Sequence, residues 1–236
     1  MWSLLIYRLL WDLPKGLNFQ DQATENGELL LACFLKLLFI LIFIFVSVIY
    51  FLFGSLIKLN RTSLIKLRYG STLEIVWTLV PAVLIGYPSV KLVYAMDELI
   101  EPGITVKAIG MQWYWKYELG DFGKIYEWDS YLKSESDLKV GGLRLLEVDK
   151  PLLLPVGVKI RVVATSFDVM HSFAIPSLAV RIDAVPGRLN VCSFELKRQG
   201  VFRGVCAELC GSYHGNMPVV VEGCSLSDFE RFLESL

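Results

Sequence analysis

LLFILIFIFVSVIYFLFGSLI, residues 37–57, carries no charged side chain from one end to the other. A helix rises about 1.5 Å per residue, so this stretch reaches about 30 Å, the thickness of a bilayer's hydrocarbon core. It reads as a membrane-spanning helix. The competing reading, a buried core helix of a soluble protein, fits poorly with a charge-free run of this length. A second apolar run, IVWTLVPAVLIGYPSVKLVYAM at 75–96, holds only Lys91, near one end where its stem can snorkel to the interface. It is expected to span as well. Hydrophobic residues make up 54% of the 236-residue chain, and with the excess concentrated in these two runs the remainder suffices for one domain of about 140 residues.

Loop charge predicts the orientation. The link 58–74 holds Lys58, Arg61, Lys66 and Arg68 against Glu74, whereas residues 1–28 hold Arg8 and Lys15 against Asp12, Asp21, Glu25 and Glu28. Positive charge collects on the inner side, so the link is expected inside. Both termini and everything after Met96 then lie outside. The opening MWSLLIYRLLW is a candidate leader with a short apolar core, and its cleavage is left open.

After the DELIEPG joint at 97–103 the pattern changes to short apolar-alternating runs between Gly, Pro, Asp and Ser. These are ITVKAIGMQWYWKYE (104–118), LRLLEV (143–148), VKIRVVAT (158–165), HSFAIPS (171–177), RLNVCSFEL (188–196), GVFRGVC (200–206) and MPVVVEG (217–223). Short strands between turn signals predict an all-β sandwich or barrel. Only the tail reads as helix, with Ser225 as N-cap and Phe229, Phe232 and Leu233 on one face. Composition therefore divides the chain into an N-terminal segment 1–28, a transmembrane helical hairpin 29–96 and an all-β domain 97–236.

Soft donors cluster in CAELCGSYHGNM, residues 206–217: Cys206, Cys210, His214 and Met217, with Glu208 between the cysteines. The other histidine of the chain, His171, heads a different predicted strand. Several readings compete. A Cys206–Cys210 disulfide suits an oxidising compartment but gives His171, His214 and Met217 no reason to converge. Zinc on the two cysteines and two histidines leaves Met217 without a role. Copper uses every donor: two thiolates bridge two ions, each capped by one imidazole, with Met217 and a backbone carbonyl as weak axial ligands. Plain core packing explains none of the clustering. Cys33, Cys192 and Cys224 lack partner donors and read as small buried hydrophobes, and no C-x-x-C-H haem signature is present.

The stretches EIVWTLVPAVLI, KAIGMQWYWKYE, FDVMHSFAIPSLAVRIDAVPGRLN and GVCAELCGSYHGNMP carry a resemblance. From Asp12 to the C-terminus the chain resembles subunit II of the mitochondrial cytochrome c oxidases. The resemblance implies a cupredoxin-like domain anchored by two helices in the lipid of the mitochondrial inner membrane, with the domain and both termini in the intermembrane space. It implies a dinuclear copper A centre that accepts electrons from cytochrome c and passes them to subunit I, where oxygen is reduced to water. Subunit III and accessory subunits complete such an assembly. Carried over by residue, His171, Cys206, Cys210 and Met217 would hold one copper, and Cys206, Cys210, His214 and the backbone oxygen of Glu208 the other. The Glu208 carboxylate would help bind magnesium at the contact with subunit I, a hard-oxygen role.

Two further positions follow from the same resemblance. Trp113 would be the ring through which the electron enters, although strand alternation in QWYWKYE also places Trp113, Trp115 and Tyr117 on one face as ordinary core. Glu74 would lie at the inner mouth of a proton path, and Ser71-x-x-Glu74 also reads as a capping box opening the second helix. The chain departs from the family at Arg203, where an aromatic is usual, and over 119–141. A cation three residues before Cys206 is expected either to raise the site's potential or to face solvent. Two rival functions compete with this one. A quinol-oxidase type of subunit II lacks the copper ligands present here, and a membrane-tethered copper carrier has no use for the second span or the aromatic strand. Beyond Met96 nineteen Asp and Glu stand against fifteen Lys and Arg, a net −4, so an acidic face including Glu118, Asp121, Glu127, Asp129, Asp149 and Asp168 is expected to steer a basic partner.

Overall fold

A computed structural model describes residues 19–58, 70–97, 101–121 and 123–236. The candidate leader, most of the 58–74 link and part of the 97–103 joint lie outside the described residues. Packing separates a helical unit, Leu29–Asp97, from a unit formed by Phe19–Glu28 together with Glu98–Leu236.

In the helical unit, α1 (Glu25–Lys58) and α2 (Ser71–Asp97) contain the two expected spans. The first helix begins twelve residues ahead of the charge-free run, with Glu25 and Glu28 in its first turn, where carboxylates complement the exposed N–H groups of a helix start. Hydroxyls within the apolar stretches are satisfied locally: Ser47 donates to the Phe43 carbonyl, Thr78 to Glu74 and Ser89 to Ile85, each at 2.8 Å. Such bonds matter because hydrocarbon offers no alternative partner. Cys33 donates through its thiol to the Pro88 carbonyl at 3.5 Å. The capping-box reading needs correction. The helix already includes Ser71, and the Glu74 N–H bonds the Gly70 carbonyl at 2.9 Å.

The second unit is a β-sandwich of two five-stranded sheets. One sheet has the order β3 (Tyr126–Ser130), β2 (Tyr114–Leu119), β1 (Ile104–Met111), β5 (Lys159–Ser166), β8 (Asn190–Glu195). The other has β4 (Leu152–Pro155), β10 (Pro218–Cys224), β9 (Gly200–Cys206), β6 (His171–Ile175), β7 (Val180–Ala184). The β1–β5 and β4–β10 pairs are parallel and the others antiparallel. Alternation delivers the core: Val106, Ala108, Trp115, Tyr117, Ile160 and Val162 from the first sheet meet Phe173, Ile175, Phe202, Val219 and Val221 from the second, all buried. The terminal helix α3 (Leu226–Ser235) adds Phe229 and Leu233, and the Ser225 hydroxyl accepts from the Asp228 N–H at 3.2 Å as the expected cap.

Several expected strands change. The run 104–118 is a hairpin whose turn is Gln112–Trp113, not one strand. Residues 143–148 form turns: Leu145 takes the left-handed conformation (φ 63°), and Val148 makes only an isolated bridge to Leu132. Strands β3, β4 and β7 were not anticipated. LLLP at β4 has no polar alternation to signal a strand, because Leu152, Leu154 and Pro155 are all buried.

Residues 19–28, set apart by composition, join the β-unit by hydrogen bonding. The Ala23 N–H donates to the Ser177 carbonyl and its own carbonyl accepts from the Lys197 N–H, both at 2.9 Å. Thr24 Oγ1 donates to the Leu178 carbonyl at 2.8 Å, and Lys197 pairs with Glu28 at 2.8 Å. By packing, this strap belongs with the sandwich.

Candidate metal centre

Strands β9 and β10 are hairpin partners, and the Cys206 N–H donates to the Met217 carbonyl at 3.0 Å. That bond closes the loop 207–216 and places Cys206 and Met217, both buried, at its two feet. Strand β6 lies beside β9 with Phe173 opposite Cys206, and the Ala207 N–H reaches the Ser172 carbonyl at 3.0 Å. The sheet therefore brings the head of β6, and His171 with it, against the first cysteine.

The donor atoms converge. His171, Cys206 and Cys210 present ligand atoms all within 4.8 Å of one another. Cys206 Sγ lies 3.9 Å from Cys210 Sγ and 3.8 Å from His171 Nδ1, while Cys210 Sγ lies 3.4 Å from His214 Nδ1. Each sulfur thus lies against an imidazole. The Glu208 carbonyl oxygen is 3.3 Å from Cys206 Sγ, and its carboxylate is half-exposed.

Asp168 was expected only as a docking acid, yet its Oδ1 lies 2.9 Å from His171 Nε2. A carboxylate at Nε2 fixes the orientation of the ring, and here Nδ1 is the nitrogen that faces Cys206. Burial opposes ionisation of Cys206, but hydrogen bonding to His171 and to the backbone at Ser172 and Glu208 outweighs it, so the thiol is held below its ordinary range. Burial, then the neighbouring Cys206 thiolate, pushes Cys210 up. His171 is desolvated yet raised, because Cys206 and Asp168 both favour its protonated form. Asp168 is lowered despite burial by His171 and by the Val169 and Gln112 N–H groups.

Trp113 occupies the β1–β2 turn, so strand alternation does not govern it. Its Nε1–H donates to the Cys210 carbonyl at 3.2 Å, and its ring meets Tyr213 edge-on at 5.0 Å. Trp115 and Tyr117 are core, as alternation predicts. Glu74 lies in the first turn of α2, in the helical unit. Arg203 neither stands free in solvent nor acts as an uncompensated cation, because it pairs with Glu147 at 2.6 Å with both side chains about three-quarters covered. Among the expected docking acids, Glu118 pairs with Lys107 and Glu127 with Lys116, each at 2.7 Å.

Two glycines were not singled out from sequence. A Cβ on Gly110 would lie 2.7 Å from His171 Cδ2, so only glycine lets β1 pass so close to that ring. Gly211 takes φ +122°, and a Cβ there would lie 3.1 Å from Trp113 Cζ2. Neither residue bears chemistry, and their signal lies in contacts between segments remote in sequence.

The donor set fits a soft metal. Two sulfurs and an imidazole whose ligand atoms all lie within 4.8 Å of one another favour a soft metal such as copper over hard cations.

Comparison with known proteins agrees. Residues 104–224 match the family described as "Cytochrome C oxidase subunit II, periplasmic domain", and residues 12–92 its transmembrane domain. The chain is 44% identical to cytochrome c oxidase subunit 2 of Metridium senile, over 98% of this chain and 95% of that protein. It is 45% identical to that of Schizosaccharomyces pombe, over 98% of both, and 43% identical to that of Saccharomyces cerevisiae, over 93% and 91%. The crystal structure of the periplasmic domain of subunit II of cytochrome oxidase of Bradyrhizobium japonicum superposes with a TM-score of 0.54 at 41% identity, covering 58% of this chain and 95% of that one. A mixed-disulfide intermediate between a thioredoxin-like protein and a subunit II domain gives 0.51 at 37% identity, covering 59% and 94%.

Proposed function

The chain belongs to the cytochrome c oxidase subunit II family, and on that footing we propose that His171, Cys206, Glu208 through its carbonyl, Cys210, His214 and Met217 hold a dinuclear copper A centre that takes electrons from cytochrome c. As a subunit II the chain is the electron-transfer subunit of a haem-copper oxidase, working beside other oxidase subunits. When bound, the copper pair supplies one-electron chemistry.

The residues around it have separable tasks. Cys206 and Cys210, whose sulfurs lie 3.9 Å apart, would hold the copper pair, and their thiolate charge would offset much of that of the cations. Asp168 orients His171 so that Nδ1 faces the sulfurs. Met217, sealed at the foot of β10, would supply a weak thioether and keeps water from one side. Trp113 presents a partly buried indole whose N–H bonds the Cys210 carbonyl, a continuous contact from the outer surface to a ligand. Cytochrome c would dock over that ring, and the electron would continue to subunit I.

The Glu208 carboxylate, half-exposed on the loop, would supply one hard oxygen to a magnesium ion whose other ligands come from subunit I. Glu74 would serve a proton path of that subunit. The apolar helices and the relatives suggest the mitochondrial inner membrane, and the positive link suggests that the copper domain faces the intermembrane space. For function we keep the division into membrane hairpin 29–96 and copper domain 97–236.

The observation that carries this reading is the pair of buried sulfurs 3.9 Å apart with imidazoles against them. Its test is metal analysis of the β-unit refolded with copper. Two coppers per chain with an electron-spin signal delocalised over both are expected. A single copper, or a preference for zinc under the same conditions, overturns the dinuclear reading.

A further inference from the structure

Gln112, exposed in the β1–β2 turn, touches both segments that carry the soft donors. Its backbone N–H donates to Asp168 Oδ2 at 2.7 Å, and the other oxygen of that carboxylate holds His171 Nε2. Its side-chain Nε2 donates to the Cys210 carbonyl at 3.0 Å, the same oxygen that accepts from Trp113 Nε1. A carbonyl has two lone pairs and can accept both. Gly211 leaves the room required, since a Cβ at that position would lie 3.3 Å from Gln112 Nε2.

We propose that Gln112 is a positioning residue for the copper centre: its backbone fixes the Asp168–His171 pair, and its amide fixes the Cys210 carbonyl against the Trp113 indole. The inference rests on the copper A reading above. One residue thereby sets the spacing of two ligand loops that come from different sheet neighbours, β5–β6 and β9–β10. The backbone half of this contact survives any substitution except proline. The side-chain half does not, so variants isolate the hold on Cys210. Without the amide, the Cys210 carbonyl keeps only the indole N–H from this turn, and Trp113 loses the neighbour that shares its acceptor. A hydrogen bond of this kind contributes about 0.5–1.5 kcal/mol net, or about 2- to 10-fold in an equilibrium or a rate that depends on the geometry.

The experiment compares the purified oxidase carrying Gln112→Met, which keeps the length but cannot donate, or Gln112→Glu, which places an acceptor against the Cys210 carbonyl. Copper content, the near-infrared and electron-spin spectra of the copper centre and its reduction potential are measured without turnover. Reduction by reduced cytochrome c is then followed under second-order and saturating conditions. Expected are two coppers throughout, spectra shifted in Gln112→Met and further in Gln112→Glu, and a saturating electron-transfer rate lowered about 2- to 10-fold with a smaller change in association. Unchanged spectra and saturating rate, with association alone weakened, would make Gln112 a docking contact and overturn the proposal. If Gln112→Met fails to assemble, Gln112→Glu carries the same test. A wild-type oxidase without two coppers in this subunit instead refutes the copper A reading.

Discussion

Replacing Gly110 with alanine probes how closely the two sheets meet at the metal centre. Gly110 lies inside β1, paired with Trp115 on β2 and Ser166 on β5, and its carbonyl accepts from the Phe167 N–H and the Ser166 hydroxyl at 3.2 Å each. Its backbone is therefore held on both sides. A Cβ would meet His171 Cδ2 at 2.7 Å, Cγ at 2.8 Å and Cβ at 2.9 Å, where ordinary contact begins at 3.4 Å. His171 is fully buried, lies against Trp115 and is tied to Asp168, so it yields only by disturbing that bond. Overpacking costs about 1–3 kcal/mol, and a pinned neighbour argues for the upper half. Alanine also restricts the unfolded chain, which returns about 0.4–1 kcal/mol. The net loss is about 1–2.5 kcal/mol, or about 2–10 °C in the melting point of a unit this size. The assay is urea and thermal unfolding of the metal-free β-unit, followed by copper loading and spectroscopy. Gly120→Ala is the control, because nothing lies within 4 Å of its Cβ. If Gly110→Ala matches that control in stability and its copper spectrum is unaltered, the steric argument is wrong.

Asp168→Asn removes the charge that orients His171, so copper affinity of the β-unit should fall about 10-fold or more, the usual cost of losing such a partner; unchanged affinity in a competition titration would leave Asp168 a docking acid only. In the metal-free β-unit a mild thiol oxidant such as diamide should join Cys206 and Cys210, two thiols giving up two protons and two electrons to the diazene, while copper loading protects them. Cys192, whose thiol burial pushes up to about 12, should stay free; mass spectrometry of alkylated peptides reads the outcome, and a mixed population involving Cys192 or Cys224 would contradict the geometry. Arg203→Met should destabilise the β-unit by about 1–3 kcal/mol by leaving Glu147 unpaired, whereas Arg203→Met with Glu147→Gln should cost less than the sum of the singles; additive effects in urea unfolding would show the pair to be uncoupled.

The legible parts of this molecule are those in which one segment carries its own signal. A charge-free run of bilayer length, a tail with an apolar stripe behind Ser225, and His, Cys and Met gathered on one loop can each be read without knowing what lies beside them. The errors fall where neighbours decide. LLLP becomes β4 because β10 offers a parallel edge at Val221–Cys224, and LRLLEV, whose alternation breaks at Leu145–Leu146, stays in turns with only Val148 bridged. Ala23 and Thr24 precede a membrane helix in sequence but complete the sandwich in space. Asp168 was noticed for its charge, and its bond to His171 follows from the turn between β5 and β6, which three-residue spacing alone does not specify.

Charge shows the same division between count and place. Lys107 and Glu118 are direct cross-strand partners on β1 and β2, and Lys116 on β2 reaches Glu127 on β3. Pairs of this kind support strand register. From a distance each pair is a dipole, whose field dies away faster than that of a single charge, so Glu118 and Glu127 add little to long-range steering. Asp121 and Asp149 accept from backbone N–H groups at Thr105, and at Tyr131 and Lys150, and Asp129 accepts from the Tyr131 hydroxyl. A carboxylate bound to neutral donors keeps its full charge. If a basic partner docks on this face, its attraction within a Debye length of about 10 Å at 0.1 M salt would fall chiefly to Asp121, Asp149 and Asp168, because Asp129 stands opposite Lys116 across the β2–β3 ladder. Since Asp168 also holds His171, its removal mixes docking with site geometry. Asp149, whose partners are the Tyr131 and Lys150 N–H groups, separates them: a change there is expected to act on association and leave the donor set as it stands.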